Sequence, residues 1–177
     1  EESGFKLDTT HFTSKLDDSI DLLILCNPNN PTSSCISLDD MRTILDVCKE
    51  HGIYVMVDET YIEFVEDVVH TSAVSLTAYY NNIIILRGTS KFFAAPGLRL
   101  GYAVCGNRDL IKEVVGHQDP WTINTLAAIA GEIMFTDEDY IAETRQLISS
   151  ERERICKKLD SFRDVNYYEP KANFILV

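Results

Sequence analysis

Apolar residues in this chain come in short β-branched runs, each closing on a polar turn. Residues 20–26, 53–57, 83–86 and 100–105 are four such runs, the first interrupted at Asp21. Consecutive apolar residues over this length predict strands buried on both faces. Between the first two runs, Met41, Ile44, Leu45 and Cys48 recur at helical spacing. Ser37 followed by Asp40 predicts that helix's N-terminus, and Gly52 its stop. Residues 62–76 carry Phe64, Val65, Val68 and Val69 in a pattern that fits helix or loop. The last third is predicted helical. One helix opens at Asp119-Pro120 and runs through Ile123, Leu126, Ala127, Ala130, Ile133 and Met134. A longer one spans roughly 137–161, capped by Thr136 with Asp139 and striped by Tyr140, Ile141, Leu147, Ile148, Ile155 and Leu159. Phe12 and Leu16 anchor a short helix near the start, and residues 172–177 read as a strand that begins as the chain ends. Strands separated by helical segments at this spacing predict an α/β fold with a parallel, right-handed sheet.

The chain's 177 residues are enough for one core. The net charge of -12 argues against a nucleic-acid or anionic-membrane surface. No apolar run approaches the roughly 20 residues of a spanning helix. Cys26, Cys35, Cys48, Cys105 and Cys156 are scattered and odd in number, which supports neither a disulfide framework nor a zinc ribbon. A reducing, cytoplasmic setting is expected. His11, His51, His70 and His117 show no ligand spacing, so no metal site is expected. The first residue is not Met, and with a strand starting at the other end the chain is expected to be a segment of a longer protein.

Three strand ends carry the chemistry. Asn30 follows the first, in the stiff Asn27-Pro28-Asn29-Asn30-Pro31-Thr32 loop. Asp58 and Tyr61 follow the second; Ser90, Lys91 and Arg99 follow the third. Parallel strands put their carboxyl ends on one side of the sheet, where ligands bind. Lys91 lies between Ser90 and the Phe92-Phe93 pair, a setting that predicts a desolvated amine with a lowered pKa, suited to act as a nucleophile. Each residue also has a plainer role: a loop lysine, a turn asparagine, a helix-capping aspartate, a core tyrosine, an arginine paired with a surface carboxylate.

Asn29-Asn30-Pro31-Thr32, Asp58-Glu59-Thr60-Tyr61 and Ser90-Lys91 followed by Arg99 resemble the pyridoxal-phosphate enzymes of the class I/II aminotransferase family, fold type I. Within it the chain looks most like the branch holding histidinol-phosphate aminotransferase and threonine-phosphate decarboxylase. The stretch from Lys91 to Tyr102 and Pro120-Trp121-Thr122-Ile123-Asn124 lean toward the decarboxylase. The resemblance implies pyridoxal 5'-phosphate as cofactor, with Lys91 forming a Schiff base to its aldehyde and later moving the substrate's proton. It implies Asp58 at the pyridine nitrogen, Asn30 and Tyr61 at the phenolic oxygen, and Ser90 and Arg99 at the phosphate. It implies the central part of the large domain in residues 1–160, with a mostly parallel sheet flanked by helices. The start of a small domain falls in residues 161–177. An amino-acid or amino-phosphate substrate and a homodimer are implied too, with transamination first, decarboxylation of phosphothreonine as the alternative, and a non-catalytic sensor domain as a second. Two departures stand out: Ser33 replaces the family's glycine after Pro-Thr, and Gly88 replaces a hydroxyl residue three before the lysine. The family's N-terminal part and most of its small domain are not in the sequence, so the segment alone is expected to be inactive.

Overall fold

The computed structural model describes residues 4–177 and contains one four-stranded sheet in the order β1 (Leu22–Cys26), β2 (Tyr54–Asp58), β3 (Ile83–Gly88), β4 (Gly101–Val104). The first three strands are parallel, with Leu22 opposite Tyr54 and Val55 opposite Ile83. β4 is antiparallel to β3, Gly88 facing Gly101. The spacing pointed to a parallel sheet and the resemblance to a mostly parallel one; the mostly parallel sheet is what forms, with the fourth strand reversed. The connection over 89–100 holds only the 3-10 turn Pro96–Leu98, too little for the crossover that parallel pairing needs.

One face of the sheet carries the core. Val55, Val57, Ile83 and Ile85 pack on Met41, Ile44, Leu45 and Cys48 of helix α2 (Leu38–Glu50), with Leu16, Ala73 and Leu76 closing the layer. The short helix α1 (Thr9–Thr13) packs beside α2, and its Thr9 hydroxyl donates to Asp40 at 2.6 Å. Ser37 Oγ accepts from the Asp40 N–H at 3.0 Å, so the predicted cap is in place. Gly52 ends the helix with φ of 72°, a conformation glycine takes without strain. The first strand differs from its prediction. Alternation turns Leu23 and Leu25 inward and Leu22, Ile24 and Cys26 outward, and Ile24 is 61% exposed. A strand predicted to be buried on both faces is therefore covered on one.

Residues 59–82 settle into short pieces: 3-10 turns at Ile62–Phe64 and Ala73–Ala78, and helix α3 (Val68–Thr71). Helix α4 (Arg108–Gly116) was not predicted; Asn107 caps it, its side-chain oxygen accepting from the Asp109 and Leu110 N–H groups at 3.1 Å each. Helix α5 (Thr125–Met134) starts later than Asp119-Pro120, because Asn124 supplies the cap, accepting from Ala127 N–H at 2.9 Å. Helix α6 (Glu138–Leu159) is capped by Asp137, one residue past the predicted Thr136. Residues 172–177 form no strand; the backbone of Lys171 and Ala172 bonds to Ser33 and to the Arg152 side chain, and the Leu176 carbonyl accepts from the Tyr168 N–H within the same segment at 3.0 Å. Among the described residues no helix is long and apolar enough to cross a membrane.

The turn between β4 and α4 admits only glycine. A β-carbon at Gly106 would sit 1.9 Å from the Thr77 carbonyl oxygen, and backbone cannot swing aside as a side chain can. Gly106→Ala is expected to destabilise the protein by about 3 kcal/mol, the upper range for overpacking. A denaturation midpoint unchanged from wild type would contradict this close approach.

Candidate functional site

The parallel strands deliver their carboxyl ends side by side. Cys26 lies opposite Asp58 in the β1–β2 register, and the Asn27 N–H donates to the Asp58 carbonyl at 2.9 Å. The Glu59 N–H donates to the Leu86 carbonyl at 2.9 Å, which fixes the end of β2 against β3 just before the Lys91 turn. Three predicted site residues are thereby brought together. The Asn30 amide donates to the Tyr61 hydroxyl oxygen at 3.4 Å, and Lys91 Nζ lies 5.6 Å from the centre of the Tyr61 ring. Because the Tyr61 oxygen accepts from Asn30, its own O–H is left to donate elsewhere.

Asp58 is held through one oxygen. Its Oδ1 accepts from the Thr60 N–H at 2.9 Å and from the Thr60 hydroxyl. The turn at Ile62–Phe64 has no side-chain cap, so Asp58 fixes its own turn and does not cap a helix. Among the described residues Oδ2 takes no hydrogen bond, so one carboxylate oxygen remains for a donor. The Cys26 thiol beside it is pushed up in pKa, first by burial and then by the Asp58 charge.

Lys91 is exposed, so the predicted desolvation of its amine is not what the fold provides. Its aromatic neighbours turn the other way. Phe92 is 2% exposed and packs against Phe64, Phe93 and Tyr140, while the Tyr140 hydroxyl donates to the Phe92 carbonyl at 2.9 Å. The phenylalanines anchor the turn and leave the lysine free above it. Arg99 is also exposed, in the left-handed region at φ of 55°, and donates to the Pro96 carbonyl at 3.0 Å. Neither Lys91 nor Arg99 has a carboxylate partner among the described residues, so the plainer role for Arg99 is not realised. Ser90 is half-buried between them in sequence, and no hydrogen bond joins Ser90 or Arg99 to Asn30, Tyr61 or Lys91 among the described residues. At Gly88 a β-carbon would meet Leu100 O at 3.5 Å, an ordinary contact, so the missing hydroxyl is not enforced by crowding.

Behind these groups lies an ionic network that the sequence reading missed. Glu59 is 1% exposed; Arg87 donates to its Oε2 from Nε at 3.1 Å and from Nη2 at 2.9 Å. The Ser72 hydroxyl and the Ala73 N–H donate to the same carboxylate at 2.8 and 2.7 Å. Arg87 also reaches Glu63 at 2.9 Å, and Arg145 of α6 reaches the other oxygen of Glu63 at 2.5 Å. Burial alone would push the Arg87 guanidinium down, but the charge and hydrogen bond of Glu59 outweigh it and hold the group above its ordinary value. A cavity of about 300 Å³ opens beside the network, lined by Thr60, Arg87, Phe93, Tyr102 and Phe135 among others. Strand alternation was the available signal. It places Glu59 two beyond Val57 and Arg87 two beyond Ile85, both on the core face.

The family model for aminotransferases of class I and II matches residues 1–177. The chain is 32% identical over 177 residues to threonine-phosphate decarboxylase of Salmonella typhimurium, covering 100% of this chain and 48% of that protein. It is 40% identical over 157 residues to histidinol-phosphate aminotransferase of Thermoanaerobacter pseudethanolicus, covering 88% of this chain and 42% of that protein. In structure it is similar to histidinol-phosphate aminotransferase from Clostridium acetobutylicum, with a TM-score of 0.89 and 31% identity over 96% of this chain and 50% of that one. The chain thus spans about half the length of the curated relatives it matches.

Proposed function

The chain belongs to the class I and II aminotransferase family, and from that premise we propose that the full-length protein is a pyridoxal-phosphate-dependent aminotransferase acting on an amino acid or a phosphorylated amine. The observation that carries this is the meeting of Asn30, Tyr61 and Lys91 beside an Asp58 carboxylate with one free oxygen. When bound, the cofactor supplies an aldehyde that captures amino groups and a protonated ring that draws electrons from them.

The residues present fit that group. Lys91, exposed and without a carboxylate partner among the described residues, would hold the aldehyde carbon through its amine. Asp58 would accept from the ring nitrogen at Oδ2 and keep it protonated, since a carboxylate favours the cationic form. Tyr61 would donate to the phenolic oxygen with the proton that its bond from Asn30 leaves available. Ser90 and Arg99 would hold the phosphate, Arg99 with a permanent charge and a forked set of donors. Lys91 Nζ would also take the proton from the substrate's α-carbon and return it, as general base and acid.

Residues 1–160 then form part of the large domain and 161–177 the start of the small one, a division supported by the end of α6 at Leu159. The full protein is proposed to act as a homodimer on a small-molecule substrate. Decarboxylation of phosphothreonine is the second reading. It is supported by the 32% identity to the Salmonella decarboxylase over all of this chain and by the wording of the stretch from Lys91 to Tyr102. The isolated segment is proposed to hold the cofactor weakly and not to turn over.

The test is to incubate the full-length protein with pyridoxal phosphate, reduce with borohydride and map the labelled peptides. A pyridoxyl group confined to Lys91 and absent from Lys91→Ala is the expected result. Labelling spread evenly over other lysines would refute the assignment. Product analysis then separates the two reactions: a keto product indicates transamination, carbon dioxide decarboxylation.

A further inference from the structure

The segment after α6 returns to the strand ends and is gripped there from two sides. Ser33 Oγ accepts from the backbone N–H groups of Lys171 at 2.9 Å and Ala172 at 2.7 Å. Arg152 of α6 donates to the carbonyls of the same two residues at 3.1 and 3.2 Å. Ser33 and Ala172 are both fully buried. Two residues further on, Phe174 meets the Tyr61 ring edge-on, with centroids 5.0 Å apart. Tyr61 in turn accepts from Asn30, which lies in the same loop as Ser33. That loop is braced internally: the Ser33 N–H donates to the Asn29 carbonyl at 2.7 Å, and the Asn29 N–H to the Ser34 carbonyl at 2.8 Å. The contacts close a circuit from Ser33 through residues 171–174 to Tyr61 and Asn30, and back along the loop.

Ser33 holds a backbone conformation that glycine adopts freely and serine does not, with φ of 59°. Its hydroxyl has a use that glycine lacks: it is the acceptor for the Ala172 N–H, and it shares the Lys171 N–H with the Ser33 carbonyl, 3.2 Å away. Within the circuit the Tyr61 hydroxyl is held by a single 3.4 Å hydrogen bond, and Phe174, at 5.0 Å, sits nearer the ring than its other aromatic neighbour, Phe64 at 6.4 Å. Loosening the strap therefore frees the ring that carries the hydroxyl.

We infer that Ser33 is a positioning residue: through the strap 171–174 it sets the Tyr61 hydroxyl at the angle from which it donates to the cofactor's phenolic oxygen. The inference rests on the cofactor reading given above. Phe174 acts in the same line, between the strap and the ring. Arg152 holds the strap's carbonyls but does not touch the Asn30 loop, so Ser33 is the residue that ties strap and loop together.

The experiment uses the full-length protein and two variants, Ser33→Gly and Phe174→Leu. Glycine suits the φ at position 33, so the first variant removes the hydroxyl without adding strain. Hydrogen exchange on the cofactor-free proteins is read first. Ser33→Gly is expected to speed exchange at the Ala172 amide, while the Lys171 amide keeps its bond to the residue-33 carbonyl, and unchanged exchange at Ala172 would overturn the strap whatever the cofactor does. The pH midpoint of the bound cofactor's visible absorbance is read second. A hydroxyl donating to the phenolic oxygen weakens that oxygen's hold on a proton, so both variants are expected to raise the midpoint, by about one pH unit for a full hydrogen bond to a charged oxygen. The double variant is expected to shift it no further than the larger single shift, since both act on one ring. A midpoint unmoved in both variants, with exchange accelerated and cofactor retained, would overturn the positioning role and leave a purely structural one. Failure of the wild-type protein to take up pyridoxal phosphate would refute the underlying reading, and this is seen before any variant is compared.

Discussion

Replacing Lys91 with alanine is expected to cut turnover by the full-length protein about 10,000-fold, the upper range for removing a positioned acid–base group. Two roles are lost together. The amine that holds the cofactor's aldehyde disappears, and so does the base at the substrate's α-carbon. Lys91 suits both because it is exposed on a turn that the buried Phe92 anchors, so the amine swings while its backbone stays fixed. The nearby Tyr61 ring face gives the cationic form a resting place 5.6 Å from its centre. Lys91→Arg is expected to fail nearly as badly, because a guanidinium does not give up its proton at neutral pH. Single-turnover kinetics with the amino substrate would decide the matter. Activity within tenfold of wild type in Lys91→Ala would remove Lys91 from the chemistry, and the proposed function with it.

The positions of the strands along the chain and the residues at their ends were legible in the sequence because both depend on local patterns. A β-branched run closing on a polar turn needs little tertiary context, and the three parallel strands fall where those runs predict. What needed context was misread. The outward face of β1 and the direction of β4 depend on what lies beside them, and four apolar residues in a row look alike at an edge and in a centre. Helix α4 was overlooked although Leu110, Ile111, Val114 and Val115 carry a helical spacing behind a good cap at Asn107. At the site, Asn30, Tyr61 and Lys91 meet beyond the strand ends, but Lys91 is exposed where a desolvated amine was expected, because sequence adjacency to Phe92 and Phe93 does not say which way each side chain turns. Ser33 was visible only as a departure from the family's glycine. Its meaning came from Lys171 and Ala172, more than a hundred residues away in the chain.

Arg87→Met is expected to destabilise the protein by about 3–5 kcal/mol, the cost of leaving a buried carboxylate without its partner. The Glu59 side chain is fully buried, and the Arg87 side chain is 15% exposed, so water offers little compensation for the lost guanidinium. The Ser72 hydroxyl and the Ala73 N–H would remain on Glu59, but both are neutral donors. Arg87→Met combined with Glu59→Gln is expected to recover much of the loss, because no buried charge remains. Comparing melting temperatures of the single and double variants at neutral pH tests both points, and a single variant as stable as wild type would refute the account. The consequence reaches the site because Glu59 follows Asp58 and its N–H is bonded to the Leu86 carbonyl, two residues before Gly88 at the end of β3. A Glu59 that shifts to find water moves the end of β2 against β3, and with it the spacing between Asp58 and Lys91. Retention of pyridoxal phosphate by the full-length Arg87→Met variant is therefore expected to fall along with its stability, although Arg87 is not among the residues proposed to touch the cofactor.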